Sequence, residues 1–168
     1  MKYKLSFFKK LVSITIIVSL TAASQSCEVK NNKVTTIMPE KPEYFNFRPK
    51  LEKEYGYTHA VKIGNDLKIS GAVSMNDSGM IVAPGNMEQQ MKNCYIDLEK
   101  ILQHYGYTYD DVVAENIYTT NMADFIKASG FRNGIYKKQF PTGTWLEVKG
   151  LAVEGQLIEI DMEAHQVK

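Results

Sequence analysis

The sequence predicts a single α+β domain, with one β-sheet covered on one face by two helices, in the order β-β-α-β-α-β-β. Three observations carry this. Two runs of two-residue period flank the turn Gly64-Asn65-Asp66. A continuous apolar stripe at helical spacing runs from Met87 to Tyr105. A terminal segment places Ile158, Ile160, Met162 and Ala164 on one side and Leu157, Glu159, Asp161 and Glu163 on the other. Alternation marks strands, and a 3.6-residue period marks a helix.

His59, Val61 and Ile63 open the first strand, and Leu67, Ile69, Gly71 and Val73 the second. Gly64 and Asn65 suit the hairpin between them, because both tolerate positive φ. Asn76-Asp-Ser-Gly79 is a loop. The first helix follows, with Met87, Met91, Cys94, Leu98, Ile101 and Leu102 on its stripe, Asn86 as its cap and Gly106 at its end. Cys94 within the stripe reads as a buried, inert side chain. Val113–Thr120 forms the third strand. Asn121 caps a second helix, which Gly130 and Gly134 weaken and Pro141 stops. Two last strands, 144–153 and 156–164, are expected to form a hairpin across Glu154-Gly155. The sheet then has a polar outer face. Trp145, Glu147 and Lys149 are expected on it, and a large aromatic there implies cover by another subunit.

Residues 1–26 have the three parts of a secretory signal: Lys2, Lys4, Lys9 and Lys10, then the apolar run Leu11–Leu20, then small residues to Ser26. The run is short for a membrane span. Cys27 follows directly and resembles the lipidated Cys of a bacterial lipoprotein, although Ser24 stands where that pattern prefers Leu. Ordinary cleavage and a retained anchor helix are the alternatives; the Cys favours the lipoprotein. Residues 27–50, polar and punctuated by Pro39, Pro42 and Pro49, read as a tether, with Tyr44, Phe45 and Phe47 available to dock on the domain. Residues 51–168 form the domain. The expected location is the cell envelope, membrane-anchored through Cys27, or else soluble after cleavage.

Removing the four signal lysines from the 20 basic residues leaves 16 against 19 acidic ones, a net charge of −3. That charge disfavours nucleic acid as a partner. Cys94 alone builds no disulfide or Cys-cluster metal site, and His59, His104 and His165 lack ligand spacing, so neither metal nor cofactor is expected. Arg132, Lys62, Lys68 and Lys149 read as solvated or paired surface charges.

Gly56-Tyr57-Thr58-His59-Ala60-Val61, Ile69-Ser70-Gly71, Met87-Glu-Gln-Gln90 continuing through Leu102, Asp110-Asp-Val-Val113, Met122-Ala-Asp-Phe125 and Ile158–Ala164 resemble, in this order and spacing, the RidA/YjgF family over about residues 55–165. The resemblance implies a chorismate-mutase-like fold, a homotrimer, and a small-molecule pocket in each cleft between subunits. It implies that Glu159 activates water and that Tyr57, Ser70 and Gly71 line the pocket. The family hydrolyses enamines and imines and places an Arg two residues after the Pro that follows the second helix. Here that position is Gly143, and Ser129 stands at the family's pocket Asn. A guanidinium binds a carboxylate through two parallel hydrogen bonds, whereas Gly143 offers one backbone N–H. Two readings follow: a trimeric module that binds a small molecule without the usual deaminase activity, or a divergent hydrolase using Glu159. Export and the missing Arg favour the first.

Overall fold

Each predicted strand period finds a partner in the computed structural model, which describes residues 40–167. The signal, Cys27 and the tether up to residue 39 lie outside the described residues. In chain order the elements are β1 (Glu43–Phe45), α1 (Pro49–Tyr55), β2 (Ala60–Ile63), β3 (Asp66–Val73), α2 (Met87–His104), β4 (Val112–Thr119), α3 (Met122–Ala128), α4 (Arg132–Ile135), β5 (Thr142–Glu147) and β6 (Ile158–His165). One six-stranded sheet runs β1-β2-β3-β6-β4-β5, and the fold is α+β with the helices on one face.

The core lies between that face and α2. Leu67, Ile69, Ile117, Ile158, Ile160 and Met162 pack beneath Met91, Cys94, Leu98, Ile101 and Leu102, all buried. The predicted cap of α2 is present: the Asn86 side chain accepts the Gln89 N–H at 3.0 Å. Asn121 likewise accepts from Asp124 N–H at 3.0 Å, opening α3. The long second helix is divided: α3 ends at Ala128, a 3-10 turn spans Ser129–Phe131, and α4 adds four residues. Gly130 and Gly134 fall in these short pieces, as glycine's backbone entropy cost leads one to expect. Burial pushes the Cys94 thiol far above its ordinary value.

Four expectations are corrected. First, the chain joins the domain before residue 51. Phe45 pairs with Ala60, its ring stacks on His104 at 3.8 Å, and α1 starts at Pro49, whose fixed φ suits the first helical turn. Tyr44 stays exposed. Second, Ala60 rather than Val61 or Ile63 leads the inward side of β2, opposite Ile69. Third, the last two strands form no hairpin. β6 runs antiparallel between β3 and β4, and β5 runs parallel to β4 on its other side. Both edges of β6 are thus occupied, and the helices 122–135 provide the crossover that a parallel pair requires. Fourth, Trp145 does not face away from the helices. It is in register with Ile117, itself opposite Ile160, and its ring meets Phe125 of α3 edge-on at 4.9 Å.

Candidate functional site

Three local features converge on one cavity of about 410 Å³. The first is the end of α1, where Gly56 takes the left-handed conformation (φ 77°) and turns the chain so that Tyr55 and Tyr57 both reach the cavity. The second is a bulge in β3. Ile69 faces Met162 and Ala72 faces Ile160, so β3 carries one residue more than β6 between these pairs. The extra residue lies in the Ser70-Gly71 segment, and bulges of this kind re-aim side chains at functional positions. Ser70 is held by two bonds: its N–H donates to His59 O (2.8 Å) and its hydroxyl to Thr58 O (2.8 Å). The third is Glu159, directed off the outer face of β6.

Gly71 leaves room for Glu159. A Cβ built on Gly71 would stand 1.9 Å from Glu159 Oε1 and 2.6 Å from its carboxyl carbon. Gly71 is not in the left-handed region, so its role is clearance rather than backbone freedom. Burial, and then the negative charge of Asp161, hold the Glu159 carboxyl above its ordinary value. Burial is also the main cause raising the Tyr57 phenol, with Glu52 and Glu159 adding to it.

The remaining wall is the 148–157 segment, expected as strand on either side of the Glu154-Gly155 turn and observed as loop. Gln90, buried in α2, pins it: its amide nitrogen donates to Gly155 O (2.9 Å) and Ala83 O (3.2 Å), and its carbonyl accepts Leu157 N–H (2.9 Å). Ala152, Val153 and Gln156 then face the cavity, and Gln156 accepts Val153 N–H at 3.0 Å. Together with Tyr55, Val73 and Met75, these are the lining residues missed from sequence. Tyr55 was detectable as half of an aromatic pair around a helix-ending glycine; the loop residues carry no periodic signal.

The structure therefore brings Tyr57, Ser70, Gly71 and Glu159 together, but not Ser129 or Gly143. Glu159 is in register with Tyr118, which is in register with Leu146, on the outer face. Gly143 is in register with Glu115, and Glu115 with Met162, on the helix face. Glu159 and Gly143 of one chain thus lie on opposite faces of the sheet. Ser129 follows α3, and its hydroxyl donates to Ile126 O (2.8 Å). Gly143 lies on the edge strand, all of whose residues are exposed. A Cβ there would meet only Glu115 O, at 3.2 Å.

Arg132, expected at the surface, is buried. Its guanidinium pairs with Glu115, whose Oε1 accepts the hydroxyls of Tyr95 and Tyr136 at 2.7 Å each, while Arg132 Nε donates to Tyr95 Oη (3.1 Å). Arg132 Cζ also lies 5.3 Å from the centre of the Trp145 ring. A second buried cluster ties α1 to the sheet: Glu52 Oε1 accepts the N–H groups of Phe47 (2.9 Å) and Arg48 (2.7 Å) and lies 3.0 Å from His59 Nδ1. Burial lowers the His59 imidazole, and Glu52 opposes that shift.

The family model described as Endoribonuclease L-PSP matches residues 48–166. A RutC family protein of Saccharolobus solfataricus is 30% identical over 125 residues, covering 71% of this chain and 95% of that one. The 2-iminobutanoate/2-iminopropanoate deaminase of Mus musculus is 28% identical over 118 residues, covering 61% of this chain and 84% of its own. A crystal structure of a YjgF/YER057c/UK114 family member from Mycobacterium tuberculosis superposes with a TM-score of 0.65 at 24% identity, covering 75% of this chain and all of that one. With the matched span running from α1 to the end of β6, the chain belongs to the RidA/YjgF family.

Proposed function

We propose that this chain is an exported domain that binds a small molecule in clefts between its subunits and lacks the imine hydrolysis named for its deaminase relatives. One observation carries the reading. Glu159 with its cavity and Gly143 with its edge strand lie on opposite faces of one chain, so a site using both needs a second copy, and at position 143 that copy presents no side chain. A homotrimer supplies such clefts, with β5 as the open edge. The family description names a ribonuclease. The outer face here carries Glu159, Asp161 and Glu163, a poor surface for a phosphate backbone.

The test is hydrolysis of a 2-aminoacrylate-type imine. Wild-type protein is expected to work barely above background. Each charge-assisted hydrogen bond of a missing guanidinium is worth about 1.5–3 kcal/mol, and lost orientation alone costs about a hundredfold. In Gly143→Arg, activity should rise, because the backbone there is not left-handed and the close contact is one carbonyl. Adding Glu159→Gln should abolish the gain. Light scattering must show three chains per particle for both proteins. The second reading, a divergent hydrolase, has support in the raised Glu159 carboxyl, which suits a general base. Robust, Glu159-dependent turnover by wild type would establish it.

Anchoring at the envelope through a lipid on Cys27 belongs to the same proposal. The intact mass of protein from native membranes should exceed that of the chain starting at Cys27 by the lipid, and Cys27→Ala should lose both the added mass and the membrane fraction. Unmodified wild-type protein in the soluble fraction would refute it.

A further inference from the structure

The cavity contains a charge without a partner. Among its described lining residues Glu159 is the only ionisable acid or base apart from the two phenols; no Lys, Arg or His lines it. Other cations of the domain are engaged elsewhere. Arg48 is 2.6 Å from Asp97 and 3.3 Å from Asp77, Lys68 is 3.0 Å from Glu163, and Arg132 is held by Glu115. Asp161, on the same strand, adds a second negative charge. The rest of the wall is aromatic or apolar: the rings of Tyr55 and Tyr57, both part-exposed at the site, and the side chains of Val73, Met75 and Val153.

A negative field repels a carboxylate, and none of the described residues of this chain that line the cavity offers the cation that would offset the repulsion. The same field, with two phenol rings beside it, suits a cation that sheds part of its water: an ammonium group donates to the carboxylate and lies against aromatic faces. We infer that the ligand of this cavity is an organic amine, bound as its ammonium ion through Glu159, with an apolar body against Tyr55, Tyr57 and Met75. This rests on the reading of the cavity as a ligand site and gives that ligand a charge.

Three probes of matched size decide the matter by calorimetry on the mature full-length protein: 2-phenylethylamine, 2-phenylethanol and phenylacetate. The amine should bind at least about tenfold tighter than the alcohol, as expected for one hydrogen bond between charged groups, and phenylacetate should not bind measurably. Glu159→Gln should weaken the amine about tenfold or more and the alcohol far less. The inference is overturned if phenylacetate binds as tightly as the amine, if Glu159→Gln leaves the amine unaffected, or if none of the three binds. Those outcomes concern ligand charge. Failure of the binding-module reading would appear instead as robust imine turnover by wild-type protein.

Discussion

Arg132→Met should remove about 3–5 kcal/mol of folding stability, the usual cost of leaving one member of a buried ion pair without its partner. Glu115 is fully buried, and Arg132 supplies the cation that faces its carboxylate. For a domain of this size the loss corresponds to a fall in Tm of about 10 °C or more. Glu115→Gln in the same chain should recover more than half of it. Oε1, the atom that accepts from Tyr95 and Tyr136, is retained in Gln, and the uncompensated charge is gone. Differential scanning calorimetry of the two variants gives the comparison. A single variant with unchanged Tm would show that the pair contributes nothing, and no recovery in the double variant would show that shape rather than charge governs the site.

Gly71→Ala should cost the site its carboxylate. The new methyl would stand 1.9 Å from Glu159 Oε1 and 2.6 Å from Cγ, so the whole side chain must leave its present rotamer. Ligand affinity that depends on Glu159 should fall about tenfold or more, and any activity gained by Gly143→Arg should fall to the Glu159→Gln level. The stability cost of overpacking is about 1–3 kcal/mol. In a Glu159→Ala background that cost should largely vanish, because the clashing atoms are gone and the Gly71 backbone is one that Ala can adopt. The two backgrounds form a double-mutant cycle. Equal destabilisation in both would show that Gly71 is needed for the bulge itself and not for Glu159.

The site was legible in proportion to how local its determinants are. Tyr57, Ser70, Gly71 and Glu159 follow from a resemblance carried by short segments, with alternation placing only Glu159 on the outer face, and they do share one cavity. Gln90 was visible as part of the same resemblance, but its task of holding the 148–157 wall to the cavity was not, since it bonds to residues more than sixty positions away. Arg132 looked like a surface charge because nothing near it in sequence announces Glu115 or Tyr95 as its neighbours. The Ser70-Gly71 bulge turns Ala72 inward in place of Gly71 and Val73, a shift the sequence period does not show and the register against β6 does.

The sequence by itself determined the fold class, the long helix α2 with its cap and the apolar side of β6. These depend on periods of two and 3.6 residues and on side chains that bond within one turn, which neighbouring residues alone decide. The tertiary structure decided which strands are neighbours, and with that the face on which Trp145 and Gly143 lie. Strand pairing is settled by competition among distant backbone donors and acceptors. β6 satisfies both its edges between β3 and β4, so β5 pairs parallel to β4 and no hairpin forms. A change of partner reassigns every side chain on a strand to one face or the other. That is why the sequence could name Glu159 and Gly143 as candidates for one site, while only the register shows that in one chain they lie on opposite faces of the sheet.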